Sequence, residues 1–219
     1  VGKAKKMKTV EVAPLERRLI LRTCNSNMTS HGGFVWPKEG YVEAPDWAPT
    51  QQCGAGLHGF LWGEGRGELA SWSLDAVWLV AEIIGEHIDL KGKVKFKAAN
   101  VLFCGDRLAA TALLSSLAPG RAIIGGTATA GDRGTATAGD RGTATAGYSG
   151  TATAGDRGTA TAGDRGTATA GQVGIIVIRW WDEEKERYRL TIGYVGEDGI
   201  EPGVKYRCDA KGKIEACPV

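Results

Sequence analysis

Gly126-Thr-Ala-Thr-Ala-Gly-Asp-Arg-Gly134 opens a run of six octads that closes at Gly171, and the fold is read from this run. Only the third connector departs from Asp-Arg, with Tyr148-Ser149 in its place, and the chain leaves the last octad through Gln172-Val173. A short fixed period outweighs local propensity as a guide to architecture. Thr-Ala-Thr-Ala alternates with period two, so in a strand the threonines share one face and the alanines the other. Gly-Asp-Arg-Gly is turn chemistry: glycine reaches backbone angles that other residues avoid, and the Asp side chain bonds backbone nearby.

Eight residues are too few to close a two-sided coil. Paired octads make sixteen-residue coils and three stacked rungs of a β-solenoid. Thr127, Thr129, Thr143, Thr145, Thr159 and Thr161 then line one face. Thr135, Thr137, Thr151, Thr153, Thr167 and Thr169 line the opposite one. Alanine suits the thin interior, because a buried hydroxyl without a partner is costly. Internal Thr ladders are the competing arrangement. A flexible Gly-rich linker is another, against which the strict alternation through all copies speaks. The stack needs protected ends, and Ala122-Ile123-Ile124 before it and Val173 to Ile178 after it have the apolar character to supply them.

Working outward, residues 1–120 read as an α+β N-terminal capping domain, 121–173 as the solenoid, and 174–219 as a β-hairpin C-terminal cap. Leu19-Ile20-Leu21, Trp78 to Ile84, Lys93 to Phe96 and Val101 to Cys104 are strand-like. Ser73 is a candidate cap for a short helix from Leu74-Asp75. Asp106 caps a clearer helix, Arg107 to Leu117, which Pro119-Gly120 stops. Phe34, Trp36, Tyr41 and Trp47 lie in a loop-rich passage, as fillers of an irregular core or as an aromatic binding surface. Gly174 to Trp181 pairs with Arg187 to Val195 across a charged turn. Tyr206 to Asp209 and Ile214 to Cys217 form a second hairpin, and Trp180 and Trp181 pack in the cap.

The chain has 219 residues and a formal charge of +2, which disfavours a nucleic-acid surface. Lys3, Lys5, Lys6 and Lys8 read as a solvated tail. No apolar run reaches membrane-spanning length. No signal peptide is visible, so a cytoplasmic or phage-associated location is expected. Five irregularly spaced cysteines point to reduced thiols, with a Cys208–Cys217 bridge open in an oxidising compartment. Cys24, Cys53, His58 and Cys104 are weak candidates for a zinc site or a Cys/His pair, lacking any CxxC spacing. His31 and His87 read as surface residues. The octads lack the Gly-Gly-x-Gly-x-Asp nonapeptide of calcium-binding coils. No metal, other cofactor or catalytic residue is expected.

Two resemblances follow from these residues. The octads resemble half of the sixteen-residue repeat of bacterial ice-nucleation proteins, whose Thr-x-Thr arrays are taken to order water and whose arginine-bearing coils are associated with self-assembly. That resemblance implies ice or ordered water as partner of the twelve threonines. It also implies assembly through Arg133, Arg141, Arg157, Arg165 and Tyr148, giving a homo-oligomer joined at solenoid faces or ends. Cys53 to His58 is similar to the Cys-x-x-Gly-(Phe/Leu)-His signature of an uncharacterised bacterial and phage family, often followed by octads, and it brings no activity. The expected function is a non-enzymatic, ice-binding or antifreeze-like solenoid. A phage or bacterial structural module, with the solenoid as rigid spacer or stacking surface, stands beside it, as does a metal- or Cys/His-dependent activity before residue 120.

Overall fold

The strand-like segments before the helix pair into one antiparallel sheet of five strands in the computed structural model, which describes residues 17–218. Its strands are β1 (Leu19–Cys24), β2 (Gly40–Glu43), β3 (Leu57–Leu61), β4 (Val77–Asp89) and β5 (Val94–Gly105). The order is β2-β5-β3-β1-β4, and β4 also pairs with β5, so β1, β3, β5 and β4 close into a small barrel. Alternation along β1 splits the core. Ile20 joins Leu79, Phe96 and Trp36, whereas Leu19 and Leu21 join Trp78, Leu114, Ile123 and Ile124 under helix α1 (Arg107–Leu117). Asp106 caps α1 as expected, its Oδ1 accepting the Ala109 N–H at 2.9 Å.

Three local expectations need correction. No helix forms at Leu74: the Ser73 hydroxyl bonds the Asp75 carboxylate, the Ala76 N–H closes a turn on Ser73, and from Val77 the chain is already paired with Cys24. Sheet pairing takes these residues before a helical turn can complete. The segments Lys93 to Phe96 and Val101 to Cys104 are one continuous strand, β5, held along β4. Lys95 within it is fully buried, its Nζ donating to Thr50 Oγ1 and the Gln52 carbonyl. His87 is half-buried, with an unpartnered Nδ1, while His31 is exposed. The lysines of the expected N-terminal tail, Lys3 to Lys8, lie outside the described residues.

The octads form the solenoid. Strands β6 (Thr127–Ala130), β8 (Thr143–Ala146) and β10 (Thr159–Ala162) stack in parallel register on one side. On the other side β7 (Thr135–Ala138), β9 (Thr151–Ala154) and β11 (Thr167–Ala170) do the same. Each alanine meets the alanine sixteen residues on. From Ala136 to Ala170 the strand alanines are 0–4% exposed, so the methyls fill the shaft and the threonines face outward.

Both ends are closed by larger side chains. Ile123 and Ile124 sit below the first coil. Above the last, β12 (Ile175–Asp182) adds a rung to β10, with Ile176 and Ile178 continuing the alanine columns. β13 (Arg187–Tyr194) pairs antiparallel with β12. The hairpin of β14 (Tyr206–Cys208) and β15 (Ile214–Ala216) covers β11, where Tyr206 meets Ala168. Trp180 packs over Gly212 and donates to Thr191 Oγ1 at 3.0 Å. Cys208 and Cys217 are unbridged: the register sets Cys208 opposite Ile214, and the Cys217 N–H bonds the Lys205 carbonyl.

Candidate functional site

Each threonine face is a grid set by backbone geometry. Along a strand, alternate residues stand about 6.7 Å apart and neighbouring strands about 4.8 Å apart. Parallel in-register pairing aligns Thr127, Thr143 and Thr159 in one file and Thr129, Thr145 and Thr161 in the next. The opposite face aligns Thr135, Thr151 and Thr167, and Thr137, Thr153 and Thr169. There the Thr151 and Thr167 hydroxyls lie 3.2 Å apart, in hydrogen-bond contact across a rung.

The two faces end differently. On the β6–β8–β10 face the outward files continue into Ile175 and Val177, then into Tyr194 and Ile192 of β13. Tyr188 and Leu190 extend this ribbon, and all four β13 residues are exposed. Sequence reading missed the ribbon, although the alternation of Arg187 to Tyr194 signals it. The other face ends where β14 crosses β11.

The connectors repeat one turn and stack on one another. In every one the last glycine N–H donates to the carbonyl of the first, as from Gly158 to Gly155 at 3.1 Å. The left-handed backbone position is taken by Arg133, Arg141, Ser149, Arg157, Arg165 and Val173 rather than by glycine. The glycines serve close approach: a Cβ on Gly155 would lie 2.4 Å from Asp140 Oδ1. The Asp side chain also acts one coil away, not locally as expected. Asp132, Asp140 and Asp156 accept the backbone N–H of Tyr148, Asp156 and Gln172 at 2.8–3.0 Å. The bare first glycine of the next turn lets the carboxylate reach that far.

Arg133, Ser149 and Arg165 line one edge of the stack, where the Arg165 guanidinium lies 5.8 Å from the Tyr148 ring. Arg141 and Arg157 line the other. There Arg141 covers Trp72 at 4.6 Å and the Gly67 N–H donates to Asp140 Oδ2 at 2.8 Å, so this edge meets the N-terminal barrel.

The N-terminal candidates do not form one site. Cys24 is buried, and Cys104 lies 3.6 Å from Met28 Sδ; burial raises both thiols above their ordinary value. Cys53 accepts from Lys93 Nζ at 3.1 Å, which lowers its thiol pKa. His58 is not its hydrogen-bond partner. Burial, then Lys93, Arg22 and Lys95, push His58 down to about 4. Among the described residues no three His, Cys, Asp or Glu side chains come together as metal ligands. No described helix is long and apolar enough to cross a membrane.

Fold and faces together define a short two-sided β-solenoid carrying outward Thr-x-Thr files. Its sequence is similar to that of an ice nucleation protein from Pseudomonas syringae, 41% identical over 105 residues, which are 47% of this chain and 9% of that protein. A Pseudomonas fluorescens ice nucleation protein is 44% identical over 103 residues, 46% of this chain and 8% of that protein. Ice nucleation protein InaU from Pantoea ananas is 41% identical over 98 residues, 43% and 10% respectively. The chain thus spans about a tenth of the length of the curated relatives it matches. No family model matches it, and no solved structure matches it significantly.

Proposed function

We propose that the threonine faces order water and adsorb to ice. The in-register files of outward Thr-x-Thr on a parallel stack are the observation that carries this reading. Hydroxyls and methyls held at about 4.8 by 6.7 Å offer water a fixed lattice of partners and apolar gaps. The partial similarity to ice nucleation proteins supports it. Three threonine ranks are a small template, so the activity expected of one molecule is adsorption, and nucleation requires several faces aligned. The face of β6, β8 and β10 is the better template, because Ile175 and Val177 add a fourth rank of branched side chains.

A second reading, a self-assembling or spacer module of bacterial or phage origin, draws support from the exposed ribbon of Tyr188, Leu190, Ile192 and Tyr194. Exposed apolar residues on a sheet edge commonly mark an interface. In that reading Arg133, Arg157 and Arg165 help to set the contacts between copies.

Partitioning of labelled protein into slowly grown ice tests the first reading. Wild type is expected in the ice, and Thr143→Lys with Thr151→Lys is expected in the liquid, with unchanged β-sheet circular dichroism. Exclusion of the wild type from ice would sink it. Sedimentation of Leu190→Asp separates the second reading, which expects that variant to lose association while keeping its monomer fold.

A further inference from the structure

The water-ordering reading leaves the N-terminal barrel without a task, yet the barrel carries a cavity of 820 Å³. That volume lies in the range of small-molecule sites. Phe34, Trp36, Leu57 and Phe60 supply apolar wall; Arg22, His58 and Lys93 supply the polar groups, with Asp46 the one carboxylate among the lining residues. The rim is made by two glycine-rich segments, Gly32-Gly33 and Gly54 to Gly56, all with left-handed or otherwise positive φ.

Among the described residues, five buried side-chain polar atoms have no hydrogen-bond partner, and three of them, Arg22 Nε, Trp36 Nε1 and His58 Nε2, belong to residues that line this cavity. Buried polar groups are nearly always bonded, so such a concentration calls for a cause. Arg22 and Trp36 offer only donors. Trp36 is 2% exposed, and the Arg22 guanidinium lies over its ring at 4.9 Å while Nη1 donates to the His58 carbonyl at 2.5 Å. The charges acting on His58 are Lys93, Arg22 and Lys95 against Asp46, so the local field is positive. Unused donors, a positive field and aromatic walls together select an acceptor-rich anion with a flat apolar body.

We propose that this cavity binds a small aromatic carboxylate, the carboxylate held by Arg22 and the Trp36 indole N–H and the ring lying against Phe34 and Leu57, which pack in the same cluster as Trp36. Such an anion supplies acceptors to both donors and fills the apolar volume beside them. Cys53, exposed among the lining residues, reports occupancy.

The test uses the full chain with benzoate as probe, and reads iodoacetamide alkylation of each cysteine by peptide mass spectrometry. Benzoate is expected to slow alkylation of Cys53 and not of Cys217, whereas benzyl alcohol and inorganic phosphate do neither. Arg22→Met is expected to raise the half-protecting benzoate concentration roughly tenfold or more, the worth of a charge-assisted hydrogen bond. Cys24, which is buried, must stay unreactive in that variant to show that it is folded. If it does not, Trp36→Phe, which keeps a ring and removes the donor, decides by the same readout. Absence of protection, equal protection by benzyl alcohol or phosphate, or protection unaltered in the folded variants would overturn the proposal. Ice partitioning is a separate readout, so the two readings fail independently.

Discussion

Arginine occupies a backbone region that glycine accepts without steric conflict: Arg133, Arg141, Arg157 and Arg165 have φ between 53° and 58°. The left-handed conformation costs a side-chain-bearing residue about 1–2 kcal/mol. Arg157→Gly, at an exposed turn, is therefore expected to stabilise the protein by about 0.5–1 kcal/mol after allowing for the freedom glycine gains when unfolded. Gly155→Ala, two residues away, is expected to destabilise by about 1–3 kcal/mol, because its methyl would collide with Asp140. Denaturant midpoints of the two variants check the pair, and equal shifts would refute the division of roles. His58 has a second signature. Its folded pKa of about 4 lies below the ordinary 6.5, so the contribution of its neutral state is complete above pH 6.5 and is lost as pH falls towards 4. Wild type should lose stability across that window and His58→Gln should lose less, as pH-dependent urea melts will show.

At the scale of elements, the solenoid is a stack of weak strands held between strong ends. Alanine buries little area per rung, so the larger caps matter disproportionately. Ile176 is fully buried at the head of an alanine column. Ile176→Ala is expected to cost about 2–5 kcal/mol and to loosen the β10 edge with it. Hydrogen exchange should then show faster exchange in β10 and β12 while β1 and β4 stay protected. Uniform acceleration throughout the chain would mean that the stack and the barrel unfold as one unit.

In the whole molecule, the barrel and the solenoid are joined along one edge. Ile123 and Ile124 enter the same cluster as Leu114 and Trp78, the Ile124 N–H bonds the Gly63 carbonyl at 2.9 Å, and Asp140 accepts from Gly67. Asp140 also bonds the next coil through its other oxygen. Asp140→Ala removes both bonds and is expected to destabilise by about 1.5–3 kcal/mol or more, whereas Asp132→Ala, at an exposed turn of the other edge, should cost less. Limited proteolysis between residues 118 and 126 reads the loosening. Comparable susceptibility in the two variants would show that the edge contact does not join the units.

The octads by themselves pointed to sixteen-residue coils with alanine inside, and the burial of the strand alanines from Ala136 to Ala170 decided against internal Thr ladders and a linker. Period-two alternation separates methyls from hydroxyls, and the thin shaft, where an unpartnered hydroxyl is costly, favours the methyls inside. Asp106 and the charged turn after Trp181 were equally plain, being local chemistry. The roles of the connector residues were not legible: that glycine is needed for close approach, and Asp for a carbonyl-free N–H one coil on, depends on two turns sixteen residues apart lying in contact. The closure of β4 onto β5, the burial of Lys95, the separation of Cys53 from Cys24 and Cys104, and the cavity between Arg22 and Phe60 likewise arose only from long-range pairing. Periodicity acts along the chain and can be read there; proximity between distant segments is settled by the packing of the folded whole.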